Sequence, residues 1–101
     1  MAKDRSRGLA AVRESLAFIG ESPEEFENEI YFEDEFLFGG YGLSTPGLND
    51  FTKLVAANCG LILDTTYTGK AYYGMTKILA REKPEGQVVF WHTGGLLNLA
   101  N

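Results

Sequence analysis

Hydrophobic residues recur at helical spacing in three stretches of the chain. In residues 4–19 they come every three or four positions, and Gly20 stands where a helix stop is expected. Residues 69–81 show the same spacing and predict a second helix. The side of that helix predicted to be buried consists of Tyr72, Met75, Ile78 and Leu79.

The remaining helical stretch, residues 44–60, carries its own start and stop signals. Ser44 or Thr45 can cap the helix, and Pro46 suits its first turn. Gly60 follows the last hydrophobic position and can end the helix. Its predicted apolar stripe consists of Leu48, Phe51 and Val55.

Short apolar runs without helical spacing separate these helices. Residues 30–38, IYFEDEFLF, are rich in aromatic residues that favour strands. Residues 61–63 and the run QVVFW at 87–91 are interpreted as short strands, the latter covered on both faces. Because helices alternate with these strands, we expect a single partial domain of the α/β class with parallel pairing.

The charge distribution excludes some partners. The chain has 9 basic and 14 acidic residues, and eight of the acidic ones cluster between residues 21 and 35. Nucleic acids and anionic membranes need a basic face, so neither is expected as a partner. The acidic cluster is interpreted as a solvated linker and strand edge. A cation site would need carboxylates that converge in space, and no metal site is predicted.

The chain also lacks features of export. Cys59 is the single cysteine, so no internal disulfide can form and a reducing compartment is favoured. No apolar run approaches the roughly 18 residues of a membrane span. The start MAKDRSRGLAAV has no signal-peptide apolar core. We therefore expect a cytoplasmic protein without a membrane span.

Three loops combine glycines, hydroxyls or aromatic side chains directly after strand-like runs: residues 38–47, 63–71 and 90–96. In open α/β sheets, ligands bind beyond the carboxyl ends of the strands, where helix N-termini offer free N–H groups. Taken singly, each loop also has a plain structural interpretation. The threonines can cap helices, and His92 can be a core histidine whose ring nitrogens are both bonded.

The loops contain motifs that occur together in one family. The segments GGYGLSTPGL, GLILDTTYTGKAYYGM and VVFWHTGGLLNL follow one another along the chain. In this order they resemble the C-terminal part of the D-cysteine desulfhydrase and 1-aminocyclopropane-1-carboxylate (ACC) deaminase family. These pyridoxal-phosphate enzymes have a tryptophan-synthase-β-like fold. The resemblance implies that residues 30–101 are the C-terminal portion of a three-layer fold-type-II large domain, preceded by a helix at 1–20 and an acidic linker at 21–29.

The resemblance implies roles for five residues. Tyr41 and Tyr67 correspond to loop tyrosines on the substrate side of the cofactor, where a phenol can donate or take a proton. Thr68 and Thr93 correspond to residues near the pyridine nitrogen, and Gly94 is implied to bind the cofactor with them. The implied partner of the complete enzyme is a small amino-acid substrate.

Thr68 and Thr93 also discriminate within the family. ACC deaminases resemble Y-E-G-K and H-L-G-G at these places, and their carboxylate favours a protonated pyridine nitrogen. A threonine hydroxyl is neutral and holds that proton less firmly. The resemblance therefore points to β-elimination of sulfide from D-cysteine, which gives pyruvate and ammonia. ACC deaminase and L-cysteate sulfo-lyase stay open as alternatives.

Some family features are missing from the chain. The family has prolines where this chain has Ser44 and Thr65, and the lysine and glycine-rich turn that hold the cofactor and its phosphate lie upstream of the matching region. We therefore expect the chain to be inactive alone, and to self-associate or pair with the missing N-terminal part through its exposed edge. A non-catalytic structural or interaction remnant, and an unrelated acidic binding domain, are the other hypotheses.

Overall fold

The computed structural model describes residues 5–31, 33, 35, 36, 45–95 and 97. The chain divides into two compact units, Met1–Asp34 and Glu35–Asn101. The elements are α1 (Arg5–Phe18), a 3₁₀ helix (Pro23–Phe26), α2 (Pro46–Cys59) and α3 (Thr68–Glu82). The three helices predicted from the sequence are confirmed. In the described ranges, no helix has both the length and the apolar character needed to cross a membrane.

Helix α1 of the first unit ends at a glycine, as predicted. Gly20 adopts a positive φ of 89°, which a residue with a side chain rarely adopts. Its N–H donates to the carbonyl of Ala17 at 3.1 Å, and the N–H of Glu21 donates to the carbonyl of Leu16 at 2.9 Å. This double hydrogen bond is a Schellman motif, which satisfies the last carbonyls of the helix.

The acidic linker of the first unit contains the 3₁₀ helix. Its residues include Glu24 and Glu25 in the first turn, where carboxylates favour the positive end of the helix dipole. Just beyond it, Glu27 forms an ion pair with Arg13 of α1. Both side chains are about half exposed, so the pair adds little to stability.

Helix α2 of the second unit begins and ends at the predicted signals. Of the two candidate caps, Thr45 is the N-cap, and its Oγ1 accepts the N–H of Leu48 at 3.2 Å. Pro46 occupies the first turn, and Gly60 ends the helix in the left-handed region with φ 67°. Leu48 and Val55 of the predicted stripe are buried.

The predicted alternation of strands and helices is wrong, because no residue in the described part of the chain belongs to a β-strand. A strand needs a neighbouring strand to pair its N–H and C=O groups. Residues 61–63 and 87–91 have no such neighbour among the described residues. Of the run predicted to be covered on both faces, Val89 is 82% exposed and Trp91 is 83% exposed. The architecture described is therefore helical, not a three-layer α/β one.

A series of aromatic rings runs through helices α2 and α3 and the segments beside them. The rings follow one another at centroid distances of 5.1 to 6.1 Å, mostly edge to face, which is a favourable geometry. We call this set the aromatic series. It consists, in order of contact, of Phe36, Tyr73, Phe51, Tyr72, Phe90 and His92.

The buried side of α3 differs from the prediction. The four predicted residues are only half-buried. The fully buried positions lie in the first half of the helix, where Gly74 allows close approach: a Cβ there would lie 2.9 Å from the ring of Phe36. These buried positions are Thr68, Gly69, Lys70 and Gly74.

Candidate functional site

The turn that leads into α3 is organised around Asp64, whose side chain has no exposed surface. Its Oδ2 accepts the N–H groups of Thr66 and Tyr67, each at 2.7 Å. Its Oδ1 accepts the N–H of Thr68 at 3.0 Å and the hydroxyl of Thr68 at 2.5 Å. The carboxylate thus satisfies N–H groups that the start of a helix leaves unpaired.

The backbone of Asp64 closes the same turn. Its N–H donates to Thr68 Oγ1 at 2.9 Å, and its carbonyl accepts the N–H of Gly69 at 2.7 Å. Position 69 has no room for a side chain, because a Cβ would overlap that carbonyl and lie 2.9 Å from Thr52 Cγ2. The glycine of the family-like motif therefore has a packing reason in this chain.

Charge is concentrated in this buried turn. Burial alone would raise the pKa of the Asp64 carboxyl, but hydrogen bonds from the Thr68 hydroxyl and three backbone N–H groups outweigh it and lower the pKa to about 2. Lys70 is 3% exposed. Its burial lowers the pKa of the ammonium group, and the nearby Asp64 charge acts in the opposite direction. The carboxylate is therefore ionised at neutral pH.

The loop of residues 92–95 contacts the same aspartate. Gly95 has φ 86°, and a Cβ on it would lie 2.5 Å from Asp64 Oδ1. Gly94 N donates to Nδ1 of His92 at 3.0 Å, so Nδ1 is an acceptor and Nε2 donates to the carbonyl of Ile62 at 2.8 Å. Both ring nitrogens of His92 are thus bonded, as the structural interpretation predicts, but the side chain is only half-buried, so His92 is not a core histidine.

The predicted site residues differ in their surroundings. Tyr67 is 42% exposed at the start of α3, and Thr93 is exposed on the neighbouring loop. Thr68 is buried against Asp64, and the N–H of Gly94 donates to the imidazole of His92. Tyr41 lies outside the described residues. The structure thus joins two of the three predicted loops around one carboxylate, while the roles of these residues toward a cofactor stay predictions.

Sequence reasoning missed Asp64, Lys70 and Gly95. The sequence predicts that threonines of the DTTYT stretch cap the helix, whereas the aspartate in front of them accepts the N–H groups at the helix start. An available signal was a short acidic side chain just ahead of the predicted helix start, where it can accept backbone N–H groups a few positions further along the chain. Gly95 lies in one of the three candidate loops, but no local pattern indicates its contact with Asp64, which is distant in sequence.

The acidic cluster does not form a cation site within the described residues, where no three histidine, cysteine or carboxylate side chains are placed to hold a metal. One of its members, Glu27, pairs with Arg13, and another, Glu35, lies 3.5 Å from Arg81. These half-exposed contacts agree with a solvated acidic surface.

The donors around the turn can be compared with the needs of a pyridoxal-phosphate site. Hydroxyls, a phenol and glycine backbone beside a helix N-terminus suit the ring and an amino-acid substrate. The amine beside them does not suit covalent attachment, because Lys70 is buried and lies close to the charge of Asp64. Among the described residues, the amine beside the turn therefore does not suit attachment of the cofactor.

Searches of known proteins find relatives of this sequence. A Pyrococcus abyssi protein, provisionally named 1-aminocyclopropane-1-carboxylate deaminase, is 35% identical over 95 residues, which are 94% of this chain and 27% of the relative. A Pyrococcus furiosus protein of the same name is 35% identical over 79 residues, 78% of this chain and 23% of the relative.

A plant relative is named for two activities. The Arabidopsis thaliana protein named bifunctional D-cysteine desulfhydrase/1-aminocyclopropane-1-carboxylate deaminase, mitochondrial, is 43% identical over 63 residues, 59% of this chain and 16% of the relative. The chain thus spans about a quarter or less of the length of these relatives. No family model matches it, and no solved structure matches it significantly.

Proposed function

We propose that this chain supplies one wall of the active site of a pyridoxal-phosphate-dependent lyase. The proposal starts from the relatives, which show that the chain belongs to the ACC deaminase and D-cysteine desulfhydrase family or is a fragment of one of its members. The observation that carries the proposal is the meeting of the loops at 64–68 and 92–95 around Asp64. Both family-like motifs are thereby held in one place by a single buried side chain.

The residues of this wall have distinct tasks in the proposal. Tyr67, partly exposed beside the start of α3, moves a proton at the substrate. Thr68, Thr93 and Gly94 line the side of the pyridine nitrogen, and Tyr41 joins Tyr67 on the substrate side. The cofactor, when bound, supplies the electron sink that makes bond cleavage at the amino acid possible.

The finer proposal is that the substrate is D-cysteine. With water, D-cysteine gives pyruvate, ammonia and hydrogen sulfide: the C–S bond breaks and the α-proton is removed. Sulfide is a good leaving group, so its elimination needs a less strongly activated pyridine ring than ring opening does. The neutral hydroxyls of Thr68 and Thr93 beside the pyridine ring are therefore sufficient for this reaction. The second candidate, opening of the cyclopropane ring of ACC, is favoured by the names of the Pyrococcus relatives.

We further propose that the chain acts only when joined to or paired with the rest of such an enzyme, in the cytoplasm. Two observations support this: the chain spans a minor part of its relatives, and the run at 87–91 leaves Val89 and Trp91 exposed. Exposed apolar residues on an unpaired extended segment offer a surface for a neighbouring strand. A non-catalytic remnant is the competing hypothesis.

A segment exchange tests the proposed function. The segment of the Pyrococcus abyssi protein that matches this chain is replaced by this chain, and sulfide release from D-cysteine and 2-oxobutanoate release from ACC are measured with added cofactor. We expect sulfide release by the exchanged protein and none by the 101-residue chain alone.

The exchange needs two controls. Tyr67→Phe removes only the phenol hydroxyl and should abolish turnover, whereas Tyr73→Phe, in the aromatic series, should leave it nearly unchanged. A folded exchanged protein that binds no cofactor would support the non-catalytic remnant. Release of 2-oxobutanoate without sulfide would favour the deaminase.

A further inference from the structure

The hydroxyl of Thr68 is held by two different atoms of the same residue. The Thr68 hydroxyl donates to Asp64 Oδ1, with 2.5 Å between the two oxygens. The same hydroxyl oxygen accepts the backbone N–H of Asp64, with 2.9 Å between nitrogen and oxygen. Thr68 is 2% exposed and Asp64 has no exposed surface, so water does not compete for these bonds. The arrangement is a closed two-residue unit at the start of α3.

The direction of the proton in this unit follows from the donor inventory of the groups. An ionised carboxylate only accepts hydrogen bonds, so in the 2.5 Å contact the hydroxyl must be the donor. A backbone N–H only donates, so the second contact occupies one lone pair of Oγ1. A hydroxyl has one proton and two lone pairs, which leaves Thr68 with a single lone pair for any ligand.

We propose that Asp64 is a positioning residue that fixes the Thr68 hydroxyl with its proton turned inward, so that Thr68 meets a ligand only as a hydrogen-bond acceptor. This inference rests on the proposed function and sharpens it. A neutral pyridine nitrogen is itself an acceptor and gains no hydrogen bond from such a hydroxyl. A ligand group that carries its own N–H or O–H proton is the chemical class that Thr68 can bind.

The inference is tested on the full 101-residue chain by nuclear magnetic resonance, without cofactor. We expect a slowly exchanging hydroxyl proton of Thr68 with a through-bond correlation to the carboxylate carbon of Asp64. Thr68→Val removes this resonance, and Thr68→Ser retains it. Asp64→Asn speeds the exchange of the hydroxyl proton about tenfold, because a charged acceptor is replaced by a neutral one.

Thr65→Val is the matched control, since it removes a hydroxyl from the same turn and should leave the Thr68 resonance unchanged. A rapidly exchanging hydroxyl in a chain whose α3 amides are protected would overturn the inference, as would a proton that points away from Asp64. Unprotected amides at the start of α3 would overturn it equally. Because no cofactor is present, failure of the proposed enzymatic function cannot produce any of these results.

Discussion

The turn around Asp64 and the apolar run at 87–91 lie in the same unit and are stabilised in different ways. In the turn, four hydrogen bonds converge on one carboxylate, and the partners are within four positions of it in sequence. In the run, Phe90 contacts Tyr72, while Val89 and Trp91 are exposed. The turn is stabilised by hydrogen bonds within a few residues, whereas the run has no strand beside it among the described residues.

The difference separates two kinds of sequence information. A side chain that binds nearby backbone groups can specify local structure without help from distant segments. An apolar run specifies a strand only together with the strands beside it, because its N–H and C=O groups need partners. The turn should therefore respond strongly to single substitutions, and the outward side of the run should hardly respond.

The largest effect is expected from Asp64→Ala. The change leaves three buried N–H groups and the Thr68 hydroxyl without their acceptor. We expect a loss of about 3–5 kcal/mol in the free energy of unfolding, measured by urea denaturation with far-UV circular dichroism. Asp50→Ala, at an exposed position of α2, is the control and should change stability by less than about 0.5 kcal/mol.

Gly95→Ala should rank second and isolates the contact between the two loops. The new Cβ would lie 2.5 Å from Asp64 Oδ1 in a backbone with φ 86°. We expect a loss of about 2–4 kcal/mol, from strain and overpacking together. Gly86→Ala shares the positive φ, at 98°, and has nothing within 4 Å, so it should lose only about 1–2 kcal/mol. Equal losses in the two variants would mean that Gly95 does not contact Asp64.

Acid should weaken the turn in a defined range of pH. The pKa of Asp64 is lowered from 3.8 to about 2, so the unfolded chain binds this proton first and the folded state is favoured when the carboxyl is ionised. This contribution, about 2 kcal/mol, is complete above about pH 5 and is lost as the pH falls toward 2. Denaturation of the parent chain and of Asp64→Asn over this range measures it. A loss of the same size in the variant would assign it to other groups.

The smallest effect on stability is expected from Trp91→Ser, because its side chain is 83% exposed. The loss should stay below about 0.5 kcal/mol, whereas Phe90→Ala, one position away, should lose about 1–3 kcal/mol through its contact with Tyr72. Trp91 is the single tryptophan, so its fluorescence reports on this surface alone. A blue shift of the Trp91 emission when a partner binds would show that the partner covers Trp91. A blue-shifted emission in the isolated monomer would contradict the exposure of Trp91.

The helices could be predicted from the sequence because their determinants are local. Gly20 and Gly60 adopt the positive φ that a helix stop requires, and Thr45 with Pro46 fixes the start of α2. Each signal acts within a few residues of the helix end. Spacing of hydrophobic residues together with these signals is therefore sufficient to place all three helices.

The strands and the centre of the site could not be predicted in the same way. The run at 87–91 has the composition of a buried strand, but composition does not say whether the pairing partners are present. Asp64 is one of 14 acidic residues in the sequence, and only the folded turn shows three N–H groups directed at it. Gly95 contacts Asp64 from 31 positions away, which no local pattern reports.

The aromatic series gives the second unit a signature of its own. Its rings, from Phe36 to His92, meet at fixed angles that a loosely collapsed chain does not hold. Such a chain keeps its far-UV spectrum and loses the near-UV one. The near-ultraviolet circular dichroism of Tyr72 and Tyr73 therefore distinguishes a unit whose side chains have locked from one in which only the helices have formed.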